Sequence, residues 1–475
     1  MSDALIGRRK EKDELLDLYH SKRAEFVTIY GRRRVGKTFL VNSLFADKYA
    51  FKVTAILDDD TQRQLKNFYI ALTEYGGEVN SIPPDWFTSF EQLRSILEKS
   101  RKKRKLIYFD EMPWLDTKNS QFIPALESFW NGWASARDDI MLIVCGSAAS
   151  WIVKKLFRNR GGLHNRITRR ILLQPFTLAE CRIYAEHEGF FMDEMSLLET
   201  YMTFGGVPYY LSLMNKNLSL AQNVSRLCFS TGGELRDEYS SLYASLFKNA
   251  NRHILVVEAL GKTKTGLTRE DIKKITKIPE GGSLSVTLEE LELSGFIRKY
   301  TPFSRKKKGM LYQLIDHFTL FHLTFIKGSS AEDDDYWMKK RETQAYRTWR
   351  GYAFEQVCLT HVRQINKAIG ISGVITHVES WRSEQTSPGA QIDLLINRND
   401  QVISLCEMKF SETMYSISKK NAQELREKRN VFIEETGTRK AVHIALITPI
   451  GIKRNDYYDM VQSIVTVRDL FSEFI

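Results

Sequence analysis

The residues best suited to chemistry in this 475-residue chain follow an apolar segment at Phe26–Tyr30. They read Gly31-Arg32-Arg33-Arg34-Val35-Gly36-Lys37-Thr38, which fits the pattern G-x-x-x-x-G-K-[ST]. A strand-to-helix turn of this kind points backbone N–H groups at a polyphosphate, and the helix dipole favours the negative charge. Lys37 is expected to neutralise the β- and γ-phosphates, and the Thr38 hydroxyl to ligate Mg²⁺. The motif predicts a nucleoside triphosphate site; the alternative is a glycine loop with an incidental lysine.

Two carboxylates end a second apolar segment, Leu106–Phe109, and suit hydrolysis of the bound nucleotide. Asp110 is expected to reach the Mg²⁺ shell, usually through water, and Glu111 to polarise the attacking water as a general base. The alternative is a helix cap, because acidic residues favour helix N-termini. A third segment, Ile140–Cys145, is followed closely by Ser147. Ser147 is a candidate sensor of the γ-phosphate, with a plain N-cap as the alternative.

A separate group of charged residues lies inside two apolar segments near the C-terminus, at Asp393, Glu407 and Lys409. Side chains of a strand alternate between faces, so Glu407 and Lys409 are expected to project together. Charges buried in a strand are costly unless they are paired or bind metal. Asp393 and Glu407 are therefore predicted to hold Mg²⁺, and Lys409 to stabilise the anionic transition state or orient the attacking water.

Glu355, on a predicted helix upstream, is expected to complete this second site as a further metal ligand. Two alternatives remain open. The charges could form a salt-bridged hairpin, since buried ion pairs also occur for structural reasons. The fold could also be retained without cleavage.

The elements that must position these residues follow from the pattern of apolar residues. Residues 1–170 alternate between strands and helices, which predicts an α/β fold with a parallel sheet covered by helices. The strand candidates are Phe26–Tyr30, Phe51–Leu57, Leu106–Phe109 and Ile140–Cys145, with helical periodicity in Phe90–Leu97. Four further parts are predicted, namely a helical subdomain at 171–245, a mixed domain at 246–327, a polar linker at 328–345 and an α/β domain at 346–475.

The mixed domain has the element order of a winged helix-turn-helix. Strand-like Phe296–Tyr300 and Leu311–Leu314 flank the basic run Arg305–Lys308, which would form the wing and suits phosphate contacts. The presumptive recognition helix at Ser283–Ser294 carries Glu289, Glu290 and Glu292, which is unfavourable in a phosphate-lined groove. DNA binding and a protein-contact role therefore both remain open.

Several of these motifs together resemble the archaeal-type ATPase family, within the AAA+/STAND group of P-loop proteins, over residues 1 to about 325. The motifs are Leu5-Ile6-Gly7-Arg8 with Glu11, the arginine-rich Walker A at Gly31–Thr38, Walker B at Phe109–Glu111, the sensor strand at Cys145–Ser147, and Gly206–Pro208 of the lid. The resemblance implies that Gly7 and Arg8 lie on the nucleotide side.

The same resemblance extends to Asn165-Arg166-Ile167-Thr168, where the family usually has Gly-Arg-x-Thr. It implies that Arg166 is an arginine finger that acts on a neighbouring subunit, and hence a homo-oligomer. Arg169 and Arg170 are competing candidates, and Asn165 replaces the usual glycine.

The C-terminal order of Glu355, Asp393, Glu407 and Lys409 resembles the PD-(D/E)XK nuclease superfamily, specifically the domain of unknown function often fused to archaeal-type ATPases. This resemblance covers about residues 346 to 475. It implies a restriction-endonuclease-like α/β fold and a metal-dependent nuclease.

Composition restricts the class of protein further. The chain is 43% apolar and 27% charged, and it carries a net charge of +11, so an anionic partner is favoured. The five scattered cysteines form no C-x-x-C pair, which favours the reducing cytoplasm, and neither a membrane span nor a signal peptide is evident. The combined expectation is a cytoplasmic ATP- and Mg²⁺-dependent protein that acts on nucleic acid, with DNA favoured, and not on membranes. The rivals are a STAND-like switch and a DNA-binding regulator, whose C-terminal domain binds without cleaving.

Overall fold

The computed structural model describes residues 5–77, 81–158, 161–163, 165–247, 249–279, 282–300, 302–303, 310–329, 335–383 and 390–473. The chain divides into two compact units, Met1–Pro175 and Phe176–Ile475. The division lies close to the predicted end of the first domain at residue 170. No helix in the described ranges has the length and apolar character needed to cross a membrane.

The first unit alternates strands and helices along the chain. Its strands are β1 Glu25–Tyr30, β2 Tyr49–Thr54, β3 Lys105–Asp110, β4 Ile140–Gly146 and β5 Arg169–Leu172. Its α-helices are α1 Arg9–His20, α2 Lys37–Phe45, α3 Thr61–Glu74, α4 Trp86–Lys99, α5 Phe122–Gly132 and α6 Ala149–Ile152. Short 3-10 turns at Met112–Trp114 and Ala134–Ala136 and a π-turn at Val153–Phe157 complete it.

The five strands form one sheet in the order β2-β3-β4-β1-β5, and every neighbouring pair is parallel. All residues of β3 and β4 are buried, as expected for a parallel sheet with both faces covered. The predicted parallel α/β sheet is therefore confirmed. Because β4 lies between β1 and β3, the carboxyl ends of these three strands lie side by side.

The predicted strand Phe51–Leu57 is wrong at its C-terminal end. The pairing of β2 stops where Thr54 meets Asp110, the last residue of β3, so no strand remains to pair with the following residues. The backbone N–H of Ile56 instead donates to Gln64 Oε1 at 3.1 Å. Leu57 is 53% exposed.

Residues 101–105 form a basic run, and its last two residues hold parts of the first unit together. Arg104 is buried and donates to the backbone oxygens of Arg23 at 2.9 Å and Leu18 at 3.1 Å. Lys105 Nζ lies 2.6 Å from Asp139 Oδ2 at the start of β3. These two cations therefore stabilise the first unit and do not offer a surface to an anionic partner.

The second unit contains helices, one small sheet and one larger sheet. Its strands are β6 Leu267–Thr268, β7 Ile297–Tyr300, β8 Leu311–Leu314, β9 Thr376–Arg382, β10 Gln391–Arg398, β11 Val402–Met408, β12 Ala441–Ile447 and β13 Ser463–Val465. Its helices from 176 to 300 are α7 Leu178–Glu188, α8 Glu194–Phe204, α9 Pro208–Ser212, α10 Leu220–Val224, α11 Glu238–Leu246, α12 Ala250–Gly261, α13 Arg269–Thr276 and α14 Gly282–Leu293. The later helices are α15 His317–Phe321, α16 Tyr336–Arg341, α17 Gln344–Thr360, α18 Val362–Ala368, α19 Lys419–Thr436 and α20 Val467–Leu470. Short π-turns lie at Ser225–Phe229 and His322–Ile326, and a 3-10 turn lies at Tyr458–Met460.

The small sheet has the order β6-β8-β7, is antiparallel and, together with α12–α14, forms what we term the three-stranded module. Its core includes Val257, Leu288, Ile297 and Leu314. Helix α13 begins with a side-chain cap, in which the Asp271 N–H donates to Thr268 Oγ1 at 3.1 Å. The predicted wing, Arg305–Lys308, lies outside the described residues.

The larger sheet has the order β13-β12-β11-β10-β9, with antiparallel pairs among β9, β10 and β11 and parallel pairs among β11, β12 and β13. One face contributes Leu394 and Cys406 to a core shared with α17 and with helices α7, α8 and α10. The other face packs Leu395 and Leu405 against Phe432 of α19. The predicted helical subdomain at 171–245 and α/β domain at 346–475 therefore share one core.

A helix occupies part of the predicted linker at 328–345. Trp337, in α16, is 2% exposed and stacks on Phe229, with ring centroids 5.4 Å apart. This aromatic side chain has enough apolar surface to hold the segment against the core. The remaining boundaries within 176–475 stay predictions.

Candidate functional site

Two glycines shape the loop between β1 and α2. Gly31 has φ +143°, and a Cβ at this position would lie 2.4 Å from the Leu173 carbonyl oxygen, so a side chain cannot fit. Gly36 has φ +88° and precedes the first residue of α2 in the left-handed region. Glycine adopts that conformation at little steric cost. The predicted strand–loop–helix context of the motif is therefore present.

Lys37 is buried and turns back over the loop that precedes it. Its Nζ donates to the carbonyl oxygens of Gly31 at 3.1 Å and Arg32 at 2.9 Å. Burial lowers the pKa of Lys37, while the neighbouring Glu111 carboxylate opposes this change. The ammonium group is thus fixed against the concave side of the loop, where a phosphate would replace the two carbonyl partners.

Thr38, in the first turn of α2, and Asp110, the last residue of β3, meet at the carboxyl edge of the sheet. Thr38 Oγ1 donates to Asp110 and lies 3.1 Å from Oδ1 and 3.0 Å from Oδ2. Burial raises the pKa of Asp110. Hydroxyl and carboxylate oxygens are hard donors of the type that Mg²⁺ prefers, so this pair fits the cation.

Glu111 and Ser147 form a second contact at the same edge of the sheet. Ser147 donates to Glu111 Oε2 through its backbone N–H at 3.0 Å and through Oγ at 2.9 Å. Glu111 has φ +50°, and the chain turns sharply there after β3. A Cβ on Gly146 would lie 2.7 Å from Pro113 Cγ and Cδ, so glycine lets this turn approach β4. The candidate base and the candidate sensor are thus directly linked.

The N-terminal motif contacts the loop between β1 and α2. Gly7 and Arg8 both have positive φ, and Arg8 Nη2 donates to the Val35 carbonyl oxygen at 3.1 Å. Val35 is buried in the core, whereas Arg33 and Arg34 are only partly buried. Arg8 therefore supports the loop, which is consistent with its predicted place on the nucleotide side.

The second predicted site lies on the hairpin of β10 and β11. The register pairs Leu394 with Cys406, so the next residues along, Asp393 and Glu407, stand opposite each other. A bulge in the pairing with β9 leaves Asp393 and Leu394 opposite the single residue Ser380. Bulges redirect side chains and are frequent beside functional sites.

Two lysines hold the Glu407 carboxylate. Lys409 Nζ lies 2.8 Å from Oε1, and Lys428 Nζ, from α19, lies 2.8 Å from Oε2. Burial by itself raises the pKa of Glu407, but the two ammonium groups outweigh it and hold the pKa below its usual value. The predicted common face of Glu407 and Lys409 is present.

Glu355 and Asp393 share a largely buried region with Glu407. Burial raises the pKa of Glu355 to about 7, and the nearby Asp393 carboxylate adds to the shift. Burial also raises the pKa of Asp393, although Gln391 Nε2 donates to its Oδ1 at 2.6 Å. The carboxylates thus penalise one another's charge, as expected where like charges lie close together.

Among the residues with described structure, no three Asp, Glu, His or Cys side chains converge closely enough to hold a metal ion. The three-carboxylate ligand set is therefore not assembled. Asp393 and Glu407 supply the oxygen donors that Mg²⁺ takes, but Glu407 is committed to its two lysines. The metal-ligand assignment of Glu355, Asp393 and Glu407 stays a prediction.

Comparison with known proteins supports the interpretation of the first site. Residues 5–214 match the family model described as an ATPase domain predominantly from Archaea. This match contains the loop, both carboxylates and Ser147. The match supports a P-loop ATPase, and the amino-terminal unit is called the ATPase domain below.

Similar proteins extend over more of the chain than this ATPase domain. An uncharacterized protein of Methanocaldococcus jannaschii, MJECL04, is 24% identical over 414 residues, which are 86% of this chain and 88% of that protein. Similar solved structures include the Walker-type ATPase PABY2304 of Pyrococcus abyssi, with a TM-score of 0.48, 16% identity and coverage of 68% of this chain and 97% of that one. The ORC2 protein of Aeropyrum pernix in its ADPNP–ADP complexes has a TM-score of 0.43, 14% identity and coverage of 71% and 96%.

The candidate arginine fingers of the ATPase domain differ in their surroundings. Arg169 forms an ion pair with Glu14, and the Arg170 guanidinium lies 4.3 Å from the centroid of the Phe157 ring. Arg166 is exposed and lies before β5. Its role as a finger stays a prediction.

Four polar residues near the second site are not part of the sequence motif formed by Glu355, Asp393, Glu407 and Lys409. They are Lys428, Gln391, Lys264 and Arg298. Lys428 lies on a helix that is strongly charged along most of its length, so no periodic pattern distinguishes it. Gln391 precedes Asp393 by two residues on β10, whereas the packing of distant segments brings the other three side chains to the site.

Proposed function

We propose that this protein hydrolyses ATP in its P-loop domain and uses the nucleotide state to control a Mg²⁺-dependent nuclease-like domain that acts on nucleic acid, with DNA favoured. The convergence of Lys37, Thr38, Asp110, Glu111 and Ser147 at one sheet edge carries the ATPase part. Lys37 would bind the phosphates, Thr38 and Asp110 would hold Mg²⁺, and Glu111 would accept a proton from the attacking water.

The nuclease part is supported by the shared position of Glu355, Asp393, Glu407 and Lys409. A divalent metal would supply charge for the attacked phosphate and activate water. Lys409, whose side chain is 40% exposed, would contact the phosphate or orient the water. We further propose that residues 346–475 have a restriction-endonuclease-like fold, that residues 246–327 are a winged helix, and that residues 171–245 are the lid of the ATPase.

The acidic residues of α14 bear on whether the proposed winged helix binds DNA or a protein. Glu290 lies 2.9 Å from His253 Nε2, and Glu292 lies 2.9 Å from Lys299 Nζ. These carboxylates therefore have partners inside the three-stranded module. Their presence does not require a protein partner, and DNA binding through another face of the module remains our preferred proposal.

A second function, nucleic-acid binding without cleavage, is favoured by one observation. Both oxygens of Glu407 are bonded to lysines, which suits a structural cluster as well as a metal site. In that case the protein is a STAND-like switch or a DNA-binding regulator, and ATP state controls assembly or binding alone.

A cleavage assay distinguishes the two functions. Wild type, Asp393→Ala and Lys409→Ala are incubated with DNA or RNA, with Mg²⁺, Mn²⁺ or EDTA, and with or without ATP. Cleavage by wild type that needs metal and is lost in both variants supports the nuclease. The matched control is Lys420→Ala, since Lys420 is 85% exposed on α19, and this variant should cleave like wild type. Binding without cleavage of any substrate by wild type supports the second function.

A further inference from the structure

The three-stranded module is joined to the strand that neighbours Asp393. Pro302, just beyond β7, forms a bridge with Ser380 of β9, and the Phe303 N–H donates to the Ser380 carbonyl oxygen at 2.7 Å. The Phe303 ring lies 5.2 Å from that of Phe432 on α19. Ser380 is the residue opposite the bulge that contains Asp393. The module is thus anchored beside one of the predicted site carboxylates.

A second anchor lies beside Glu355. Tyr352, on α17, is 6% exposed and packs in the core of the three-stranded module. Lys264 Nζ, from the segment before β6, lies 5.8 Å from the centroid of the Tyr352 ring. Glu355 follows Tyr352 by three residues and therefore projects from nearly the same side of the helix. The exposed Lys264 consequently stands next to Glu355.

Arg298, on β7, is a second cation of the module and lies near Asp393, as Lys264 lies near Glu355. Its Nε and Nη2 donate to Gln313 Oε1 at 2.8 and 2.6 Å, which fixes the plane of the guanidinium group. Strand alternation turns the next residue, Lys299, to the other face, where it pairs with Glu292. Within the described ranges, neither Arg298 nor Lys264 forms an ion pair with a carboxylate.

We propose that the three-stranded module forms one wall of the Glu355–Asp393–Glu407 site, and that Lys264 and Arg298 bind the phosphate backbone of the nucleic acid presented to it. A cluster of carboxylates repels a polyanion, so cations at its rim are needed to hold the strand. A guanidinium held in one plane is suited to bidentate contact with a phosphate. This inference rests on the proposed nuclease-like function.

Equilibrium binding of DNA tests directly whether Lys264 and Arg298 of the module contact phosphates. Fluorescence anisotropy of a fluorescein-labelled duplex and of its single strand is measured against salt, once in EDTA and once with Ca²⁺ in place of Mg²⁺. Lys264→Gln and Arg298→Gln should each weaken binding and reduce the slope of log K against log salt by about 0.9 for the duplex, since each contact with a phosphate releases counterions. Arg298→Lys should recover part of the affinity lost in Arg298→Gln. Lys299→Gln removes the same charge from the opposite face of β7 and should bind like wild type.

Three results would overturn the inference. If wild type binds DNA and both variants keep its affinity and slope, the wall does not contact phosphate, although the nuclease proposal survives. If either variant binds more tightly or cleaves faster with Mg²⁺, the module blocks the site. If wild type neither binds nor cleaves any nucleic acid, the proposed function fails and the inference fails with it. Lys264 is exposed, so Lys264→Gln remains informative should Arg298→Gln unfold the module.

Discussion

At the scale of single residues, the roles proposed for phosphate binding and for water activation belong to two separate side chains. Lys37 Nζ donates to two loop carbonyl oxygens, whereas Glu111 accepts from Ser147, just beyond the end of β4. The two side chains come from different strand ends. Substitution of one should therefore leave the geometry around the other largely intact.

Lys37→Ala should abolish tight ATP binding, because the loop loses its phosphate-neutralising charge. Glu111→Gln should retain ATP binding and lower the rate of hydrolysis by roughly two to four orders of magnitude, since it removes only the base. Binding of a fluorescent ATP analogue and release of inorganic phosphate measure the two effects. Lys66→Ala, at an exposed position of α3, is a control that should match wild type. Equal loss of binding in both site variants would show that these roles are wrong.

The sequence predicts individual site residues well where the chemistry lies in consecutive positions. Gly31–Thr38 and Asp110–Glu111 are such runs, and the parallel sheet places their strand ends together. Lys428 and Arg298 could not be predicted in this way, because each reaches the second site from a distant segment through tertiary packing.

At the scale of elements, apolar patterns predicted which strands exist but not where pairing ends. Leu57 lies in an apolar run, yet β2 stops at Thr54 because β3 has no further residue to pair with it. Trp337 lies in a polar stretch, yet part of that stretch is helical and the Trp337 side chain is buried against Phe229. Both differences arise from long-range contacts that a local pattern does not contain.

His361 joins two helices of this shared core as a neutral imidazole. Its Nδ1–H donates to the Val357 carbonyl oxygen at 2.8 Å, and its Nε2 accepts from the Leu178 N–H, the first of α7, at 3.2 Å. Burial lowers the pKa of His361 to about 4. Protonation of Nε2 removes the acceptor for Leu178 and places a charge in the core.

Because the folded pKa of His361 lies below the unfolded value of about 6.5, the unfolded chain binds the proton more readily between these values. The free energy of unfolding should therefore decrease as the pH falls from about 6.5 to about 4, by roughly 3 kcal/mol from this residue at most. Urea unfolding of wild type and His361→Gln at several pH values measures this contribution, which the variant should lack. His377→Gln, at an exposed position of β9, should keep the wild-type pH dependence. An identical pH dependence in wild type and His361→Gln would contradict the role of His361.

At the scale of the whole molecule, the ATPase domain and the second unit are each compact, and the second unit carries the predicted nuclease residues. Any control of one by the other must therefore pass between two separately packed bodies or between copies of the chain. The predicted finger Arg166 belongs to the second route, because it would act on the nucleotide of a neighbouring subunit.

Mixing of inactive subunits tests this route. Arg166→Ala subunits and Glu111→Gln subunits should each hydrolyse ATP slowly, and their mixture should recover part of the activity where an intact Arg166 meets an intact Glu111. Phosphate release across mixing ratios measures the recovery. Arg101→Ala changes an exposed arginine elsewhere in the same unit and is the control. Subunits with this substitution, mixed with wild-type subunits at the same ratios, should hydrolyse ATP at the wild-type rate. A monomeric wild type with full ATPase activity would exclude the finger.

The central claim, that nucleotide state in the first unit controls the site in the second, is tested most directly by the rate of Mg²⁺-dependent DNA cleavage in Lys37→Ala and Glu111→Gln at saturating ATP. Neither substitution lies in the second unit, so both leave Glu355, Asp393, Glu407 and Lys409 unchanged. The account predicts clearly different rates, because one variant cannot bind ATP and the other is trapped with ATP bound. Cleavage at the same rate in both variants and in wild type, with and without ATP, would contradict the coupling.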